Sequence, residues 1–433
     1  MRALWPLVAA MTLAVPAGAQ EGAVALVGGT VWPGDGAPVE NATVVVRAGR
    51  VVSVGPGAPP PGARIVDCAG TTITPGFVAT QTELGLVELS LEPSTSDEAL
   101  EGDAADPVRA SFAAIDGYNP LSTAIPVARR WGVTSVVVTP NGGLIAGTSA
   151  WMDLAGTTLD DVLVRERTAL HASLSDNAVT AAGGARSSAL NLVRQVFDDA
   201  RLYRGRGPAY DRRGLRELRV SRLDLERLAG ALAGDYPLVV KASRQSDILR
   251  VLALGREYGL RLVIADAEEA WMVARQLAAA DVPVILTPMT NLPSSFSHLH
   301  ARYDNAAILH RAGVRVILST EGAHAQRNLR QEAGNAIAAG LPREAALRAL
   351  TLEPARVFGV ERDYGTLAPG RVANLVVWTG DPFELTTWAR HVFVRGREVP
   401  TTSRQTLLFE RYRRLEGTAR GQRGLPRAAP ARR

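Results

Sequence analysis

Residues 24 to 72 run as short apolar stretches in which Val, Thr and Ile alternate with polar residues: ALVGGTVWPGDG, ATVVVRAGRVVSVG and ARIVDCAGTTITPG. Period-two alternation marks strands with one buried face, and the Asp-Gly and Pro-Gly pairs between them mark turns. The same texture returns near the other end of the chain in GTLAPGRVANLVVWTGDPFE and HVFVRGREV. The pattern predicts a small β-sandwich built from both ends, residues 24–72 plus 366–405, with something larger inserted between them.

The insert changes period. β-Branched runs occur at 132–140, 237–243, 261–267, 282–288 and 314–321. Between the later ones lie DILRVLALGREYG and EEAWMVARQLAAAD, whose apolar residues recur at three and four. Strands separated by amphipathic helices call for parallel βα units, because a parallel neighbour needs a crossover. The α/β class follows, with residues 74–365 long enough for a TIM-type (β/α)8 barrel. Residues 175–235, rich in Arg, Gly and Asp, fit the repeat poorly and predict helices with a long excursion.

Composition alters this picture at the two ends and at one interior position. Arg2, the apolar run from Ala3 to Val15, and Ala17-Gly18-Ala19 have the order of a secretory signal, with cleavage expected after Ala19 and a periplasmic or secreted product. No later run is apolar for long enough to span a bilayer. The single cysteine, Cys68, excludes an internal disulfide, so the fold must rest on its packed core. The formal charge of +5 is carried by the tail. Arg413 to Arg433 holds seven arginines and one glutamate, and +5 less this +6 leaves −1 for the rest. Such a basic, Gly/Pro/Ala-rich tail, 413–433, is expected to be solvated and disordered, and nothing else suggests nucleic-acid binding. Of the 48 basic residues one alone is lysine, Lys241. It is either part of an interior ion network or an exposed strand-end residue.

Three stretches carry a family resemblance: Thr74-Pro75-Gly76-Phe77-Val78; ALRALTLEPAR from Ala346 to Arg356; and GTLAPGRVANLVV from Gly365 to Val377. In this order they resemble the imidazolonepropionase-like branch of the amidohydrolase superfamily, which usually has an aspartate where Asn374 stands. The resemblance implies a hydrolase of non-peptide C–N bonds, in small cyclic amides or ureido compounds. Active relatives use water activated by one or two divalent metals. It also implies metal ligands at fixed positions, and here those positions have changed. The His-x-His of the first barrel strand is Gln81-Thr82-Glu83, the histidines of the fifth and sixth strands match Lys241 and about Asp266, and the final aspartate matches Glu321.

No expected histidine is present, and an ammonium cannot ligate a metal, so no metal cofactor is expected. Glu83, Asp266 and Glu321 are oxygen donors of the kind magnesium and calcium prefer, but a lysine beside them opposes such a site. The candidate catalytic residues are Glu83, Lys241 and Glu321, with Gln81, Asp266 and His324 as pocket candidates. The first and eighth strands of a closed barrel are neighbours, which places Glu83 beside Glu321. Lys241 facing both would supply the charge of the missing metal, about 4 kcal/mol for one pair at ~4 Å and an effective dielectric near 20, before desolvation. His298-Leu299-His300 has ligand spacing but lies in a Ser/Pro-rich loop, where histidines usually face solvent. His171, ending TALHASL, could point into the barrel or pack in its wall.

Three functions compete: a hydrolase descended from metal-dependent relatives, a metal-independent enzyme using Lys241 as base or nucleophile, and a catalytically silent binding protein or partner subunit of an active paralogue. Expected partners are a small-molecule ligand and a second amidohydrolase chain in a homo- or hetero-oligomer, with no nucleic acid and no membrane span. The amphipathic segment Ser403–Tyr412 is either a docking helix or a helix packed on its own domain.

Overall fold

A computed structural model describes residues 22–99, 106–211 and 217–413. The N-terminal apolar run and residues 414–433 of the basic tail lie outside the described residues. The first five strands, β1 (Val24–Val31), β2 (Val39–Arg47), β3 (Arg50–Gly55), β4 (Arg64–Asp67) and β5 (Thr72–Pro75), precede eight barrel strands. These are β6 (Phe77–Thr82), β7 (Val133–Val138), β8 (Ile145–Asp153), β9 (Leu163–Ser173), β10 (Leu238–Lys241), β11 (Leu262–Ala265), β12 (Val284–Leu286) and β13 (Val316–Leu318). The chain then returns through β14 (Leu375–Trp378), β15 (Ala389–Val394) and β16 (Arg397–Val399).

The two ends of the chain meet in one sheet of order β16-β15-β14-β5-β1-β2-β3, with β4 paired to β1. The alternation is the cause: Leu26, Val44, Val46, Ile73, Leu375, Val377 and Phe393 all point into a shared core. The second sheet runs β6 to β13 in sequence order. Its inner layer takes one apolar residue from each strand, Val78, Val137, Trp151, Ala169, Val239, Val263, Ile285 and Ile317, so the barrel is filled rather than hollow. No ladder joins β13 to β6 among the described residues. Closure comes instead from the Ser319 hydroxyl donating to the Thr80 carbonyl and the Thr82 hydroxyl donating to the Gly322 carbonyl at 3.3 Å.

One strand departs from the parallel expectation. β8 is antiparallel to both β7 and β9. The turn Thr139–Leu144 contains Asn141-Gly142-Gly143, with both glycines at positive φ, and is too short for a crossover, so the chain must double back. The poorly fitting stretch becomes the helices Asp176–Ala181, Arg186–Asp211 and Arg222–Ala233, between β9 and β10. The helix Arg404–Tyr412 has no buried residue, which removes the reading in which it packs on its own domain. Among the described residues no helix is long and apolar enough to cross a membrane.

The joint between sheet and barrel explains the shared motifs. A side chain at Gly76 would lie 2.1 Å from the Thr134 hydroxyl, so the turn into β6 requires glycine. Phe77 stacks on the fully buried Trp378 at 5.2 Å, and the Trp378 indole donates to Thr74 Oγ1 at 2.9 Å. Asp153, completely buried, receives bonds from Ser135 Oγ (2.8 Å), the Tyr364 hydroxyl (2.9 Å), Asn374 Nδ2 (2.8 Å) and Arg395 Nε (2.6 Å). Asn374 Oδ1 accepts from the Arg395 backbone N–H at 2.7 Å. An aspartate at position 374 would set a second carboxylate against Asp153, which accounts for the amide here.

Arg395→Met leaves the Asp153 carboxylate buried without its cation and should cost about 3–5 kcal/mol in denaturant unfolding. Asn374→Asp should also destabilise, and more at pH 8 than at pH 5. The like charge raises the folded-state pKa of the new carboxyl above its unfolded value, so stability falls as pH rises through that window. Unchanged midpoints for both variants would show that this network does not hold the two parts together.

Candidate functional site

Alternation along the strands places a polar layer directly above the apolar one. Thr80, Thr139, His171, Lys241 and Ser319 each lie two residues after an inner-layer residue, and Ser149 lies two before Trp151 on the antiparallel β8; all but Lys241 are buried. His171 therefore points into the barrel, where its Nε2 meets Ser149 Oγ at 2.8 Å. Burial, with the nearby Lys241 charge, holds its pKa down at about 3, so the ring is neutral.

Lys241 ends β10 with its side chain 28% exposed, and its Nζ lies 3.9 Å from Asp266 Oδ1. Asp266 and Ala267, at φ +65° and +59°, turn the chain sharply after β11 and present that carboxylate. The charges of Asp266 first, then Glu321, Glu83 and Glu268, hold the lysine pKa above its ordinary value against the opposing effect of burial. A base or nucleophile needs a neutral amine and hence a lowered pKa, so the direction here opposes that role. The expectation that Lys241 faces chiefly Glu83 and Glu321 is corrected: the tight turn after β11 brings Asp266 closest.

Glu83 follows β6, half-buried, and accepts from Asn141 Nδ2 at 3.0 Å. Burial and the neighbouring Glu98 raise its pKa, against the Asn141 bond and the Lys241 charge. Gln81 adopts φ +52°, a left-handed conformation uncommon outside glycine, and neither atom of its buried amide has a hydrogen-bond partner. Glu321 is exposed beyond β13, and its charge reaches Lys241, Glu83 and Glu332. His324 is not brought to this cluster by any contact. It is exposed and lines a separate surface cavity with Thr123, Ala124, Val127, Gln326 and Gln405.

Two acids were not singled out by sequence. Glu268 is 5% exposed, its Oε2 has no hydrogen-bond partner, and burial with the Asp266 charge raises its pKa. Glu332, on the helix Leu329–Ala338, accepts from the Met289 backbone at 2.8 Å, and burial pushes it up to about 7. A legible signal existed for Glu332, a carboxylate one position before Ala333 on a helix face that also buries Leu329 and Ala336. The loop histidines do not form a pair. His298 Nε2 lies 3.9 Å from Glu268, and His300 Nδ1 lies 3.0 Å from Glu269, so they tie the loop after β12 to the loop after β11.

These residues do not fit a divalent metal. The position matched to an imidazole ligand carries an ammonium 3.9 Å from the nearest carboxylate, and His171 is engaged by Ser149. Among the described residues no group of three or more His, Cys, Asp and Glu side chains is arranged to hold a metal ion.

Residues 232–399 match the Amidohydrolase family. An amidohydrolase from Thermotoga maritima MSB8 superposes with a TM-score of 0.80 at 27% identity, covering 87% of this chain and 99% of that one. An adenosine deaminase from Xanthomonas campestris with bound zinc shares the fold, with a TM-score of 0.51 at 18% identity over 89% of this chain and 96% of that one. Adenine deaminase 3 of Rhizobium meliloti (strain 1021) is 46% identical over 66 residues, 14% of this chain and only 10% of that curated relative's length. With its β-sheet built from both ends of the chain, its filled eight-stranded barrel and these matches, the chain has the fold of the amidohydrolases, and residues 232–399 match that family in sequence.

Proposed function

We propose that this chain is an exported, hydrolase-type member of the superfamily, directed at non-peptide C–N bonds of small polar molecules, with its metal centre rebuilt as an ion cluster around Lys241. The observation that carries the reading is the Lys241 ammonium, 3.9 Å from Asp266 at a position where the resemblance expects a metal ligand. Relatives use divalent ions to polarise the scissile group and activate water. Here an ammonium whose side chain is 28% exposed supplies positive charge at the barrel mouth, where charge acts more strongly than in bulk water. Glu83, whose pKa burial and Glu98 raise above the ordinary carboxylate value, is the carboxylate suited to accept a proton. Gln81 adds a buried amide whose donor and acceptor are both unpaired. Export rests on the order of Arg2, the apolar run and Ala17-Gly18-Ala19.

A second reading is binding without turnover, as a silent subunit beside a related chain with intact histidines. The protonated state favoured at Lys241 supports it, since the residue then supplies neither base nor nucleophile.

Elemental analysis of purified protein should find less than one transition-metal equivalent per chain. Hydrolysis of a panel of cyclic amides and ureido compounds should survive a chelator and fall at least ~100-fold in Glu83→Gln, the range general-base removal produces. Two tightly bound metal equivalents, or activity abolished by chelator and restored by zinc, would overturn the metal-free reading. Binding of panel compounds with no turnover would favour the silent one.

The ion cluster predicts pH effects of known sign. Lys241→Met should destabilise by about 1–3 kcal/mol, because neighbouring carboxylates lose their cation. The loss should grow as pH rises and those carboxylates ionise. Glu332, raised to about 7, binds a proton in the folded protein that the unfolded chain releases at ordinary carboxylate pH. Stability should therefore fall as pH rises from about 4.5 to about 7, and Glu332→Gln should flatten that fall, by on the order of 3 kcal/mol at most. Parallel stability–pH curves for wild type and both variants would contradict the cluster.

A further inference from the structure

The helix Arg404–Tyr412 leaves the body of the protein with nothing buried along it. Leu407, Leu408, Phe409 and Tyr412 are 62%, 41%, 64% and 37% exposed. At 100° per residue, Leu408, Tyr412 and Phe409 form one stripe, interrupted only at its first turn by Gln405, and Arg404 and Arg411 lie along the edge between that stripe and Leu407. The acidic side is narrow, consisting of Glu410, and Arg413 pairs with it at 2.6 Å. Ser403 and Thr406 cap its first turn reciprocally. The sequence that follows, 414–433, adds Arg414, Arg420, Arg423, Arg427, Arg432 and Arg433 against a single acid, Glu416.

An exposed apolar stripe flanked by arginines and continued by a polybasic stretch has two requirements, an apolar phase and a dense layer of negative charge. We propose that this C-terminal segment seats the protein on the surface of an anionic phospholipid bilayer, with Leu408, Phe409 and Tyr412 entering the acyl boundary and the arginines meeting lipid phosphates. A second copy of the chain fits less well. Nine residues give a helix of about 14 Å, too short to bury by itself the roughly 1,200 Å² of a stable interface. The chain outside the tail has a net charge of only −1, a poor complement to so many arginines. Neither apolar stripe nor arginines alone anchor strongly, whereas the two together do.

The test uses the processed chain beginning at Gln20, so that the N-terminal apolar run is not what is measured. It is sedimented with vesicles of phosphatidylcholine alone or mixed with phosphatidylglycerol. Binding to the mixed vesicles should be at least ~10-fold tighter than to phosphatidylcholine, and should weaken as salt rises above about 0.1 M. The joint substitution Leu408→Glu with Phe409→Glu should abolish it, and so should glutamine at the six arginines from 414 onward. All these positions lie outside the barrel, so both variants should keep the wild-type melting curve. Binding indifferent to phosphatidylglycerol, or unmoved by either variant, overturns the proposal. So does a chain that ignores vesicles but dissociates from dimer to monomer in the Leu408→Glu, Phe409→Glu variant, which reassigns the face to a second copy.

Discussion

The barrel mouth is organised by one unbalanced charge arrangement: a single ammonium surrounded by more carboxylates than it can neutralise. Lys241 meets Asp266 at 3.9 Å and feels Glu321, Glu83 and Glu268 beyond it. Carboxylates outnumbering cations in a partly dry site cannot all remain ionised at ordinary pKa values. Glu83, Glu268 and Glu332 accordingly hold their protons to higher pH, burial being the largest cause in each and neighbouring acids the next for the first two. Removing the lysine would take away the cation that the electrostatics of Asp266, Glu321, Glu83 and Glu268 share, leaving their mutual repulsion less opposed.

The scaffold beneath explains why the arrangement can persist. Eight apolar side chains, one per strand, fill the barrel and fix the direction of the residues two positions away. Lysine stands at that height, and a compact ammonium needs less width than a guanidinium. Below, the Asp153–Arg395–Asn374–Tyr364 network locks the barrel to the β-sheet with a second buried charge, fully hydrogen-bonded. Two buried carboxylate problems are thus solved differently, by complete pairing at the base and by raised carboxyl pKa values at the mouth.

Much of the fold was legible because it rests on periodicity. Alternating Val, Thr and Ile in 24–72 and again after Gly365 announced a sheet from both ends, and the glycine before Phe77 marked a contact that admits no side chain. The antiparallel β8 was not anticipated, although Asn141-Gly142-Gly143 signals a hairpin, because the expectation of a repeating βα unit overrode local turn chemistry. At the site, the residue types were readable and the distances were not. Asp266 became the nearest partner of Lys241 only through two consecutive left-handed residues after β11, which strand patterns do not encode. His324 was carried to another face by the turn after Glu321, and Glu332 reached the mouth from a helix one element later.

The chain contains one lysine, so carbon-13-labelled lysine gives a protein with a single side-chain signal that reports this amine alone. Followed by NMR across pH, the Lys241 Cε resonance should hold its protonated shift beyond the ordinary lysine pKa, because Asp266 and the neighbouring glutamates retain the proton. A titration midpoint at or below the ordinary value would mean that the amine is solvated or merely desolvated, and the charge cluster proposed at the barrel mouth would not exist.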